Sequence, residues 1–148
     1  MKYWLMKSEP DVYGIDHLRA EKRKTDHWDG IRNYQARNFM RDEMKKGDLA
    51  FFYHSNCEEP AIVGVIEIVR EGYPDHTAFL ANEKYFDAKS DPENPRWVMV
   101  DVRYKRKFKT SVTLKALKGE RALVQMRLVQ RGNRLSILPV AAKEWKHI

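Results

Sequence analysis

The sequence predicts an α+β fold, a curved mixed or antiparallel sheet flanked by short helices, on three observations. Two β-rich runs, residues 48–54 and 61–70, are joined only by the polar loop Ser55-Asn56-Cys57-Glu58-Glu59-Pro60, which leaves no room for a crossover helix. A third run, 96–108, alternates with its apolar side chains at even positions, the period of a strand with one buried face. Helical spacing is confined to short segments, and strand pairs without helical crossovers disfavour a doubly wound parallel sheet.

The elements follow in order. Residues 2–7 carry Tyr, Trp, Leu and Met and end at Ser8-Glu9-Pro10, where the proline stops a ladder; this is a first strand and turn. Residues 14–20 form a short helix, 21–24 are charged, and Asp29-Gly30 marks a turn that places Trp28 in a loop. Ala36, Phe39, Met40 and Met44 then follow the spacing of a helix burying one face, with Asn33 as its cap and Gly47 as its end. Arg37, Arg41 and Lys45 fall at i, i+4 and i+8 on another face and form a basic stripe, which in bland terms is a solvated surface. Gly64 inside the second β-rich run marks a bulge or a close approach of backbone. Residues 71–95 are mixed and include Ser-Asp-Pro-Glu-Asn-Pro. After the long strand come helical turns at 113–118 and 121–126, a brief strand at 135–138 and a last helix at 141–148.

At 148 residues the chain is the size of one domain, 1–148, built on one core. No apolar run approaches the roughly 20 residues of a membrane span, and the four apolar residues between Lys2 and Lys7 are too few for a secretory signal. One cysteine, Cys57, excludes an internal disulfide and suits a reducing cytoplasm. The five histidines show no metal-ligand spacing, so no metal is expected. The formal net charge of +7 favours polyanionic partners.

Signatures of catalysis and of nucleotide cofactors are missing. There is no glycine-rich phosphate loop and no nucleophile elbow, so no cofactor is expected. Cys57, beside Glu58 and Glu59, lacks the basic surroundings of a thiolate nucleophile. Polar and aromatic residues gather instead at the turns: Lys7-Ser8-Glu9, the stretch Trp28-Asp29-Gly30-Ile31-Arg32-Asn33-Tyr34, and Tyr53-His54-Ser55-Asn56. Scaffolds present binding groups at such positions. The combination suits a flat polar ring, with Trp28 as a stacking face and Ser, Asn, Glu and backbone amides at the ring edge. The bland alternative makes Trp28 a core aromatic and Asn33 only a helix cap.

At these same residues the chain resembles the EVE domain family. The resemblance rests on Tyr3-Trp4-Leu5-Met6-Lys7-Ser8-Glu9-Pro10, on Trp28 to Asn38, on Lys46-Gly47-Asp48 with Phe52-Tyr53-His54-Ser55-Asn56, on Pro95-Arg96-Trp97 and on Arg134-Leu135-Ser136, and covers nearly the whole chain. It implies a PUA-like fold, a small curved β-barrel flanked by helices and related to the YTH domain that recognises N6-methyladenosine. By that likeness Lys7, Ser8 and Glu9 sit at the edge of a modified base and Trp28 stacks on it, with the Asp29 backbone and Asn33 nearby. Gly30, Arg32, Tyr53, Ser55 and Asn56 complete the expected pocket, and Tyr85, Phe86 and Trp97 are candidates for a second aromatic. Arg37, Arg41, Lys45 and Arg134 are the expected phosphate contacts.

The resemblance therefore implies a non-catalytic reader of a modified base in DNA or RNA, whose partner is nucleic acid rather than a membrane. Two other functions compete. One is an amidohydrolase on N4-acylated cytidine, like enzymes of the related ASCH group, with Lys7 as base and Glu9 as proton shuttle. The other is an adaptor that binds a small anion or a protein.

Overall fold

Alternation along the first strands sets the layers. In β1 (Tyr3–Ser8), Trp4 and Met6 enter one core cluster and Leu5 the other; in β3 (Leu49–His54), Ala50 and Phe52 oppose Phe51 and Tyr53 in the same way. Successive side chains point to opposite faces of a strand, so a sheet apolar on both faces must be covered on both. After the short α1 (Pro10–Tyr13), one face is covered by α2 (Ile15–Ala20), which contributes Ile15 and Leu18, and by α3 (Tyr34–Asn38) with the turn after it, which contribute Ala36, Phe39, Met40 and Met44. The other is covered by Leu117 of α4 (Leu114–Lys118), by Leu123, Met126 and Leu128, and by the chain up to α5 (Ala142–His147). The computed structural model describes residues 1–93 and 95–148; Asn94, in the polar run 90–95, lies outside the described residues.

Six strands form one mixed sheet in the order β2 (Thr25–Trp28), β5 (Val98–Thr113), β4 (Ala61–Pro74), β3, β1, β6 (Ile137–Val140), with β2 and β6 at its edges. β1 runs parallel to β3, and every other pairing is antiparallel. The sheet is mixed, as expected, but its edge strands do not pair among the described residues, so it stays open rather than closing into a barrel. Four register shifts interrupt the pairing of β4 with β5, and bulges of this kind bend and twist a sheet. Gly64 sits at one of them. A Cβ there would overlap the Arg106 carbonyl oxygen and the Ile15 side chain, so both readings of this glycine hold: it bulges, and α2 packs directly on it.

Three expectations change. Trp28 is not in a loop: it closes β2, paired with Val100, because an edge strand borrowed by a tertiary partner leaves little local signal. The helix from Asn33 keeps its expected cap, with Asn33 Oδ1 accepting from the Ala36 N–H at 3.0 Å, but it becomes a π-turn over Phe39–Glu43 and ends before Gly47. The wider turn keeps Phe39, Met40 and Met44 in the core. It also breaks the basic stripe, because Lys45 follows the extended Met44 and no longer shares a helical face with Arg37 and Arg41. Finally, β4 and β5 run past their expected ends into a long hairpin whose connection, 75–97, lies beside the end of β2.

Candidate functional site

A strand that ends in a sheet releases its last side chains and the following backbone amides from ladder duty. β1 and β2, though three strands separate them in the sheet, both end at one cleft of about 680 Å³. Lys7, Ser8 and Glu9 from β1, Asp26, His27 and Trp28 from β2, and Asp29, Gly30, Ile31 and Arg32 from the following turn line it. Val12 and Tyr13, Ser55, Lys84 and Tyr85, and Arg134 and Ser136 complete the wall.

Several wall residues are held by identifiable partners. The Ser8 hydroxyl donates to the Tyr13 carbonyl at 2.6 Å, and the Tyr13 hydroxyl donates to Asp26 Oδ2 at 2.7 Å. Burial and the Asp26 carboxylate push the Tyr13 phenol well above its ordinary range, so it remains a donor. The Asn56 amide, on a residue with φ of 50°, donates to Glu9 Oε1 at 2.7 Å and fixes that carboxylate. Burial holds the Lys7 ammonium below its ordinary value, with its Nζ 6.0 Å from the Tyr53 ring centre. Burial raises the Asp29 carboxyl, and the neighbouring His27, 3.5 Å away, opposes that rise.

The far wall depends on one fully buried carboxylate. Asp75 accepts from the Gly30 N–H at 2.9 Å, from Arg32 Nη1 at 3.0 Å, and from the Thr77 N–H and hydroxyl at 2.9 and 2.6 Å. Burial alone would raise its pKa, but these donors together hold it below the ordinary carboxylate range. Arg32 in turn clamps the Tyr85 carbonyl with Nε at 3.0 Å and Nη2 at 2.7 Å. The Tyr85 ring is thereby laid against the turn so closely that a Cβ on Gly30 would stand 2.5 to 2.7 Å from three of its atoms, and Gly30 itself has φ of 77°. Only glycine satisfies both demands.

The expected site residues separate into those on the cleft and those elsewhere. Lys7, Ser8, Glu9, Trp28, Asp29, Gly30, Arg32, Ser55 and Arg134 lie on it. Arg32 does so as a clamp whose guanidinium is already engaged. Trp28 is buried to 7% exposure and packs edge-to-face on Phe52 at 5.4 Å, so it is a core aromatic with a border on the cleft. Asn33 caps α3, and Asn56 acts through Glu9. Tyr53 lies under a second groove, where burial pushes its phenol up to about 12. Of the three candidate second aromatics, Tyr85 borders the cleft and Phe86 does not. Trp97 is a brace: its indole donates to Asp87 at 2.7 Å, its ring stacks on Tyr34 at 5.0 Å, and the Arg32 guanidinium lies 5.4 Å from the ring centre.

The basic stripe is also occupied. Arg37 donates to the Arg96 carbonyl and to Asn38, Arg41 pairs with Asp42 at 2.8 Å, and Lys45 borders a separate depression. Tyr13, Asp26 and Lys84 also line the cleft and nothing local in the sequence distinguishes them, while Ser136, part of the Arg134-Leu135-Ser136 motif, lines it without having been expected at the pocket. Among the described residues no group of three His, Cys, Asp or Glu side chains could hold a metal ion, and no helix is long and apolar enough to cross a membrane. Aromatic borders with carboxylates, a serine hydroxyl and an amine at the edge suit a planar ring bearing both donors and acceptors. Three carboxylates in the wall oppose a phosphate inside, whereas the exposed Lys84 and Arg134 attract one at the margin.

Comparison with known proteins agrees along the whole length. The chain is 44% identical over 163 residues to human thymocyte nuclear protein 1, an alignment covering 99% of this chain and 72% of that protein. The crystal structure of the human protein in complex with 5-methylcytosine-containing DNA superposes with a TM-score of 0.94 at 44% identity, covering 99% of this chain and 95% of that one. A crystal structure from Pseudomonas syringae superposes with a TM-score of 0.93 at 47% identity, covering 98% of this chain and 95% of that one. The EVE domain model matches residues 2–148, and the chain belongs to the EVE domain family.

Proposed function

We propose that this chain is a binding module that takes a modified base of DNA, with methylated cytosine the foremost ligand, into the cleft between β1 and β2. The observation that carries the reading is the relative of 44% identity bound to 5-methylcytosine-containing DNA, joined to a cleft of matching chemistry in this chain. Trp28 and Tyr85 supply apolar borders for the ring. Ser8, Glu9 and the Asp29 backbone read its edge, and Arg134 and Lys84 receive the flanking phosphates. A base enters such a cleft only when flipped or unpaired, which costs a few kcal/mol that stacking and edge hydrogen bonds offset.

One observation favours a second reading. Burial lowers the Lys7 amine beside Ser8 and Glu9, the direction that a general base for amide hydrolysis of N4-acylated cytidine requires. A single experiment separates the two: binding of oligonucleotides carrying cytosine, 5-methylcytosine or N4-acetylcytosine, with mass spectrometry of the recovered strands. A reader retains the methylated strand selectively and returns every strand unchanged. Deacetylation would replace the reader with the hydrolase, and equal binding of all three strands would remove base recognition.

A further inference from the structure

A second, larger groove of about 1040 Å³ is lined by Lys7 of β1, Tyr53 of β3 and residues between Leu114 and Asn133. Its floor is apolar: Tyr53, Leu128 and Val129 lie there, and Val124 is 65% exposed. Its margin is cationic. Lys118, Arg121 and Arg131 are all exposed, and none of them forms an ion pair among the described residues. The acidic lining residue, Glu120, is engaged by His147 at 3.3 Å. The groove and the cleft adjoin. Lys7 lines both, and the consecutive residues Asn133 and Arg134 lie one on each.

We infer that this groove carries the nucleic-acid strand that flanks the bound base, with Lys118, Arg121 and Arg131 on successive phosphates and the apolar floor under a neighbouring sugar or base. The inference rests on the base-reading function and extends it. Unpaired cations around an apolar floor match a chain in which charges alternate with flat or apolar units, the pattern of single-strand binding grooves. The expected stripe of Arg37, Arg41 and Lys45 offers less: Arg37 is tied to the Arg96 carbonyl, Arg41 is paired with Asp42, and Lys45 lines a separate depression that shares no residue with the cleft. Lys7, on the wall between cleft and groove, stands where the strand turns from base to backbone.

The test compares the wild type, the triple variant Lys118→Ala, Arg121→Ala, Arg131→Ala, and the control Arg41→Ala, Lys45→Ala. The probes are a single strand of about ten nucleotides with one central 5-methylcytosine, its unmodified counterpart, and free 5-methyl-2′-deoxycytidine, titrated over a range of salt. The substituted side chains are exposed, and thermal unfolding checks that each variant is folded. The triple variant should lose affinity for both strands by the same factor, about 10- to 100-fold at low salt. Its salt slope should flatten by about 2, at roughly 0.7 per phosphate released. Its affinity for the free nucleoside should match the wild type, and the control variant should bind as the wild type does. An unchanged slope in the triple variant, or a flattened slope in the control alone, overturns the groove assignment. A wild type that ignores methylation while the triple variant still loses its salt slope supports the groove and overturns the base reading. Methylation preference with an intact slope in the triple variant does the reverse.

Discussion

Trp28 shows why one residue can belong to the core and to the site together. It is nearly buried against Phe52 yet borders the cleft. Replacing it by alanine would empty a core position at a cost of about 3–5 kcal/mol, a large share of the 5–15 kcal/mol that keeps a domain of this kind folded. Lost binding in Trp28→Ala would therefore say little about stacking. Tyr85 is the cleaner probe, because it stands on a connection outside the core clusters. Tyr85→Ala should leave thermal stability within a few degrees of the wild type and weaken binding of a methylated strand by about 1–3 kcal/mol, read by fluorescence anisotropy. Gly30→Ala should weaken it as much while also lowering stability by about 1–3 kcal/mol, since the new methyl meets the Tyr85 ring and the backbone holds φ at 77°. Equal binding by Gly30→Ala and wild type would show that Tyr85 does not need its place over the turn. Gly30 was legible in the sequence as a turn residue, but the ring above it was not.

Among the elements, the connection between β4 and β5 decides the shape of the cleft. Its one helical turn among the described residues is His76–Phe79, and it is pinned by Asp75 and Arg32 instead of by a ladder. Removing one partner of a buried charge pair leaves the other uncompensated, which costs about 3–5 kcal/mol. Asp75→Ala should therefore shift the urea midpoint down by about 1–3 M at an ordinary slope and expose the 80–93 stretch to protease before the rest of the chain. Cleavage no faster than in the wild type would mean that Trp97 and Asp87 hold the connection without Asp75. β4 was readable from its β-rich run, β5 from alternation, and α3 from its spacing and Asn33 cap, because these signals are local. β2 and the π-turn were not. A strand of four residues exists only through its pairing with β5, and the turn widens by one residue only because Phe39, Met40 and Met44 all find a place in the core.

For the whole molecule, stability should peak near neutral pH. His54 accepts the Ile15 N–H at 3.1 Å through Nε2, and burial lowers its pKa; Lys107 and His17 push the same way while Asp16 opposes them. A histidine lowered in the folded state binds its proton more readily when unfolded. Its contribution is therefore full above about pH 6.5 and falls as pH drops towards the lowered folded value. Asp75, also lowered, keeps its contribution above about pH 4 and loses it as pH falls further. Asp29, raised by burial, acts in the opposite sense and returns part of that loss. Melting temperature should thus decline in two stages on acidification, and His54→Gln should flatten the first stage, between about pH 7 and 5. An unchanged first stage in that variant would move the effect to another histidine. The sequence by itself determined the α+β class, the β-rich runs of β1, β3 and β4, the apolar alternation of β5, the cap at Asn33 and the cluster of polar turn residues, because composition, periodicity, capping and turn chemistry act over a few residues. Only the tertiary structure decided that the sheet stays open, that Asp75 and Tyr85 join Gly30 and Arg32 across 43 to 55 residues of chain, and that the cations without ion pairs among the described residues share a groove with Lys7 and lie away from α3. Those arrangements come from strand pairing and from burying charge where partners are available, and no local pattern encodes which distant residue will be the partner.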